Sequence, residues 1–169
     1  MERGSNMPDK PVEPSSPACL AHEANDRYMG YATKDELAAF LNELLEAERA
    51  GTGVALRSAE QARGTPFEPL LRDVHKDEAR WCAMLLRQLK ALGVPASGKV
   101  GAFQEKALAI DGMPERIAFL NRGQGWVVKK LREMMPKVRD DALHRDLKEM
   151  LDAHVVNIDR ANEALKAGG

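Results

Sequence analysis

The chain has 169 residues, 44 % apolar and 30 % charged, with a formal net charge of −1, a balance that suits one soluble domain of long helices. The near-neutral charge argues against a general nucleic-acid role through phosphate neutralisation, and no apolar run nears the roughly 18 residues that a bilayer span requires. Aromatic residues are 5 % of the chain, β-branched strand patterns are missing and no hydrophobic signal core opens it, so a cytoplasmic all-α protein without nucleic-acid or membrane partners is expected.

Residues 1–30 hold four prolines, several serines and no periodic apolar pattern, and read as a mobile, disordered tail. Tyr28 and Tyr31 are expected to dock its end on the domain that fills residues 31–169. Cys19, in the tail, and Cys82 lie far apart in unlike contexts, so neither a disulfide nor a zinc framework is indicated.

The first helix is predicted to start at "TKDE", where Thr33 caps and Glu36 completes a capping box. Its inward face reads Leu37, Leu41, Leu44, Glu48, Ala55 and Ala59, ending near Gly64. The second opens at "TPFE" in the same manner, with Thr65 as cap, Pro66 in the first helical position and Glu68 closing the box. It runs to Leu92 and stops at "GVP". A turn of about two residues between them implies antiparallel packing.

Residues 93–113 are too long for a tight turn and contain a candidate short helix, Phe103 to Ile110. The third long helix starts near Pro114, faces inward with Ile117, Leu120, Asn121, Gln124, Val128, Leu131 and Met135, and ends at Pro136. The fourth is capped by Asp140 or Asp141 and turns Leu143, Leu147, Leu151, His154, Ile158 and Leu165 inward. Two antiparallel hairpins joined by one long crossover make a four-helix bundle of the ferritin-like kind.

Each predicted inward face carries one strongly polar residue: Glu48, Glu78, Asn121 (or its neighbour Gln124) and His154. Glu48 and Glu78 are equidistant from position 63, and Asn121 and His154 from 137.5, so each pair meets across its hairpin turn. A 73-residue internal shift also maps Glu48 onto Asn121. An unpaired carboxylate among hydrocarbon costs several kcal/mol or keeps its proton. A metal ion relieves two neighbouring acids directly, and carboxylates with an imidazole suit iron, manganese or zinc; an inward arginine (Arg49, Arg80 or Arg122) would also do so.

On "LLEAERAG", "RDVHKDEARWC", "LNRGQGWVVKKL" and "LKEMLDAHVVNI" the chain resembles, over residues 33–166, the ferritin-like superfamily that includes bacterioferritins and rubrerythrins. It looks closest to an uncharacterised bacterial ferritin-like domain of unknown function. The superfamily's di-metal pattern is a Glu on the first and third helices and Glu-x-x-His on the second and fourth. Glu48 and Glu78 match the first two glutamates and His154 the last histidine, whereas Trp81, Asn121 and Leu151 stand where the remaining ligands belong. The resemblance therefore implies a degenerate di-iron site: a centre of Glu48, Glu78, Asn121 and His154 holding one Fe, Mn or Zn ion for metal handling or a redox task. Glu46, Gln124, Glu149 and Asp152 remain alternatives within one helical turn.

The competing expectation is a non-enzymatic structural or interaction module whose polar centre is a vestigial hydrogen-bonded network. His75 reads as a boundary histidine and Cys82 as a packed thiol. The glycines at 51, 53, 123 and 125 read as sites of close backbone approach. No phosphate-binding glycine loop or nucleophile elbow occurs, so no catalytic residue is named. Small helical bundles often pair, which makes a homodimer the expected assembly.

Overall fold

The computed structural model describes residues 26–168. They form five helices: α1 (Lys34–Gln61), α2 (Phe67–Leu92), α3 (Phe103–Leu108), α4 (Met113–Met134) and α5 (Asp141–Ala167), with a 3-10 turn at Met135–Lys137. No strand occurs among the described residues. Four helices are long, and the fifth, α3, is the short element expected in the crossover, two residues shorter than its predicted Phe103–Ile110 span.

Local chemistry sets the boundaries. Thr33 Oγ1 accepts from Glu36 N at 3.2 Å while Glu36 Oε2 accepts from Thr33 N at 2.8 Å, the predicted capping box. The start of α2 differs from expectation. The connection from α1 is five residues, 62–66, rather than two. Glu68 Oε2 therefore reaches past Thr65 to accept from Gly64 N at 2.7 Å, and Thr65 Oγ1 accepts from Phe67 N at 3.3 Å. Gly93 ends α2 at φ +69°, a left-handed conformation open to glycine. Asp140 caps α5 by accepting from Leu143 N at 2.7 Å.

α1 packs on α2 and α4 on α5; α1 also meets α4, and α2 meets α5. Polar pairs lace the α2–α5 seam: Asp73 with Arg160 at 2.6 Å, Asp77 with Asn157 at 3.0 Å, and Gln88 with Asp146 at 2.7 Å. The α5 numbers fall as the α2 numbers rise, so these two helices run antiparallel.

The crossover is tied to one face of α1. Asn42 donates to Pro95 O at 3.2 Å and accepts from Ser97 N at 2.6 Å. One turn on, Glu46 accepts from Ser97 Oγ at 2.5 Å, and Arg49 donates to the Ser97 and Lys99 carbonyls. α3 then lies against α1 and α4, where glycines make room: a Cβ at Gly53 would stand 2.6 Å from Gln104 Oε1, and one at Gly123 would stand 2.7 Å from Phe103 Cζ. These two glycines serve close packing, but crossover side chains and not a helix backbone are the approaching partner, and at Gly125 the expected close approach does not occur, since a Cβ there would meet open space. Buried Arg116 fastens the exit, donating to Ile110 O at 2.9 and 2.7 Å and to Gln61 Oε1.

The tail expectation for residues 1–25, Cys19 included, lies outside the described residues. Tyr28 does not dock, being 88 % exposed. Tyr31 does, under the Arg139 guanidinium, with Ala32 N donating to Lys137 O at 2.9 Å. Cys82 is only partly buried. Among the described residues no helix is long and apolar enough to cross a membrane.

Candidate functional site

The core is not continuous. One apolar cluster contains Leu45, Trp81, Val127 and Leu151; the other contains Val54, Val74, Leu120 and Ala161. Each long helix turns a buried polar side chain toward the cleft that lies between α1 and α4: Glu48 from α1, Glu78 from α2, Gln124 from α4 and His154 from α5. The anomaly legible on each helix is thus a polar layer that divides the hydrocarbon in two.

Glu48 and His154 form the closest pair, His154 Nε2 standing 3.2 Å from Glu48 Oε1. The other ring nitrogen, Nδ1, donates to Met150 O at 2.9 Å, one turn back along α5. That bond fixes the ring so that Nε2 faces Glu48. Burial works against the imidazolium, but the charge and hydrogen bond of Glu48 and the Met150 carbonyl outweigh it and hold His154 above its ordinary value.

Glu78 lies against the backbone of α1 at Gly51. A Cβ there would stand 2.7 Å from Glu78 Cδ, so only glycine admits the carboxyl. Burial, then the charges of Glu48 and Asp77, push Glu78 well above the usual carboxylate range. Burial, then Glu48, also raise the Cys82 thiol to about 11, which disfavours its thiolate.

A cleft of about 500 Å³ between α1 and α4 reaches this layer. The crossover borders it through Gly101 and Phe103, Phe119 and Trp126 of α4 contribute aromatic surface, and Glu48, Glu78, Gln124 and His154 line its polar part. Glu48 Oε2, Glu78 Oε2 and Gln124 Oε1 are buried without a hydrogen-bond partner, and all three are oxygens.

Asn121 is not brought to the centre. Its Nδ2 donates to Ile158 O at 3.2 Å and to Asn162 Oδ1 at 2.9 Å, on the α4–α5 seam. Gln124, read from the sequence as inward-facing and as the alternative to Asn121, occupies the layer; three residues leave the two side chains about 60° apart round α4, which turns position 121 toward α5 and position 124 toward the cleft. None of the three arginines offered from the sequence pairs with these acids: Arg49 binds the crossover, Arg80 pairs with Glu149 at 3.0 Å, and Arg122 sits over Phe119. Glu46, Glu149 and Asp152 pair outside the layer, with Ser97, Arg80 and Lys148. His75 stays at the boundary, its Nδ1 3.2 Å from Thr52 O. Phe103 and Trp126, which shape the cleft, were not singled out from the sequence; the signal was Gly123, a small residue opposite an aromatic in the crossover.

Among the described residues no group of three or more His, Cys, Asp or Glu side chains stands in an arrangement that could hold a metal ion. The pieces in place are a hydrogen-bonded Glu48–His154 pair, a second buried acid and one amide.

Fold and site together define an all-helical protein with a buried carboxylate–imidazole–amide layer opening on a side cleft. The chain belongs to the family described as Domain of unknown function (DUF6306), whose match covers residues 35–163, from the first turn of α1 to the last turns of α5. Neither a curated protein nor a solved structure matches it.

Proposed function

We propose that this chain is a ferritin-like four-helix bundle whose polar layer binds a single metal ion through Glu48, Glu78 and His154. The observation that carries the reading is the pair of orphaned carboxylate oxygens, Glu48 Oε2 and Glu78 Oε2, in one cleft beside an imidazole whose Nδ1 is already tied to Met150 O. Two carboxylates and an oriented imidazole are a usable set for iron, manganese or zinc. An ion would take the place of the proton on Nε2 and of any proton on Glu78. When bound, such an ion supplies Lewis acidity, or electrons if it is iron or manganese. Glu48 and His154 hold it, Glu78 balances its charge, and Gly51 leaves room for Glu78.

The test is metal analysis of protein purified without chelator. Near-stoichiometric metal, lost in Glu78→Ala and His154→Ala but retained in Asn121→Ala, is expected. Protein that stays metal-free after incubation with each of the three ions overturns the reading.

A second reading, a non-enzymatic module with a vestigial network, draws on the 3.2 Å Glu48–His154 pair, which gives His154 Nε2 and Glu48 Oε1 a partner without an ion. On that reading Glu78→Gln changes stability and its pH dependence and nothing else.

A further inference from the structure

Beyond the metal reading, and independent of it, the cleft between α1 and α4 has the character of an organic-ligand site. At about 500 Å³ it lies within the range of small-molecule pockets, and its lining is largely apolar with a few converging polar groups. Trp126 is 38 % exposed, an aromatic surface left open to solvent beside the cleft. Phe103 and Phe119 stack at 4.8 Å between ring centroids, giving a rigid apolar wall where the crossover meets α4. Gln124 is 4 % exposed, lines the cleft and leaves its Oε1 without a partner. Among the orphaned oxygens that line the cleft, Gln124 Oε1 is the one carried by α4, the helix that also supplies Phe119 and Trp126, and its complement is an O–H or N–H donor.

We propose that the cleft binds a small, flat, mainly apolar organic molecule whose body lies against Phe103, Phe119 and Trp126 and whose single hydrogen-bond-donating head meets Gln124. Apolar walls give such a ligand its affinity and the buried amide oxygen gives it orientation, because a molecule without a donor leaves that oxygen unmatched. A purely hydrated cleft would show no preference among apolar solutes.

The experiment is a titration of the full chain with phenol and with toluene, a near-isostere lacking the donor, followed by the indole N–H and side-chain amide signals in proton–nitrogen NMR spectra. It is run with chelator and again with zinc. Phenol is expected to shift the Trp126 indole and Gln124 amide signals saturably, and toluene to bind about tenfold more weakly. Gln124→Leu should bring the two probes to equal affinity. Ala47→Trp, which fills the cleft from α1, should abolish both. Absence of saturable phenol binding, or an undiminished phenol preference in folded Gln124→Leu, overturns the proposal. Should Gln124→Leu not fold, phenol binding that survives Ala47→Trp overturns it instead. Metal content measured on the same samples reports separately on the metal reading.

Discussion

Glu78 and Gly51 are fitted to each other across the α1–α2 interface: the carboxyl carbon of one would stand 2.7 Å from a Cβ on the other. Glycine inside a helix costs about 1 kcal/mol relative to alanine, so on helix propensity alone Gly51→Ala should stabilise α1. We expect the reverse, a loss of about 1–2 kcal/mol as the buried acid is forced to move. In a Glu78→Ala background the same change should become neutral or stabilising, and a double-mutant cycle by urea denaturation measures the coupling. Additive effects would show that the two residues do not share this space.

The raised acid and the raised histidine predict the sign of the pH dependence. Glu78 binds its proton above the ordinary value of 4.5 and His154 above 6.5, so over the window above each of those values the folded chain holds more protons than the unfolded one. Stability is then greatest on the acid side and falls as pH rises through the two raised values. In chelator, the urea midpoint should drop between about pH 5 and about pH 8. Glu78→Gln should flatten that slope by up to about 1.4 kcal/mol per pH unit. A wild-type midpoint that climbs over this range contradicts the assignment.

Arg49 is the last of three α1 residues that tie down the crossover, through the Ser97 and Lys99 carbonyls. Arg49→Ala should release the segment around residues 95–101 while leaving the α2–α5 seam intact. Hydrogen exchange mapped by peptide reads this directly: faster exchange in the crossover and α3, with protection in α5 unchanged. Uniform loss of protection would mean that Arg49 supports the whole domain.

Arg116 is buried, and its guanidinium donates to Ile110 O and Gln61 Oε1, joining the crossover exit to the end of α1. Arg116→Ala leaves these acceptors without their charged donor and should cost about 2–3 kcal/mol in thermal or urea unfolding. Arg116→Lys should recover only part of that, since an ammonium cannot reproduce the fork that serves two partners. Full recovery in the lysine variant would show that charge alone matters at this position.

Apolar spacing, the Thr33–Glu36 box, Gly93, Asp140 and the prolines at 66, 114 and 136 placed the four long helices and the crossover to within a few residues, because these signals act within one or two turns of chain. The presence of acids and an imidazole on inward faces was legible for the same reason, since a charged residue in an apolar stripe stands out wherever the stripe goes. What required the tertiary structure was angle and distance. The choice of Gln124 over Asn121 depends on how α4 is rotated between α1 and α5, and both residues fit the linear pattern. The pairing of His154 with Glu48, the seating of Glu78 on Gly51, and the cleft beside Phe103 depend on helices far apart in sequence and on a crossover whose path no local rule describes. Short-range chemistry determined which residues would be buried together in each helix; only the packing of one helix on another decided which of them touch.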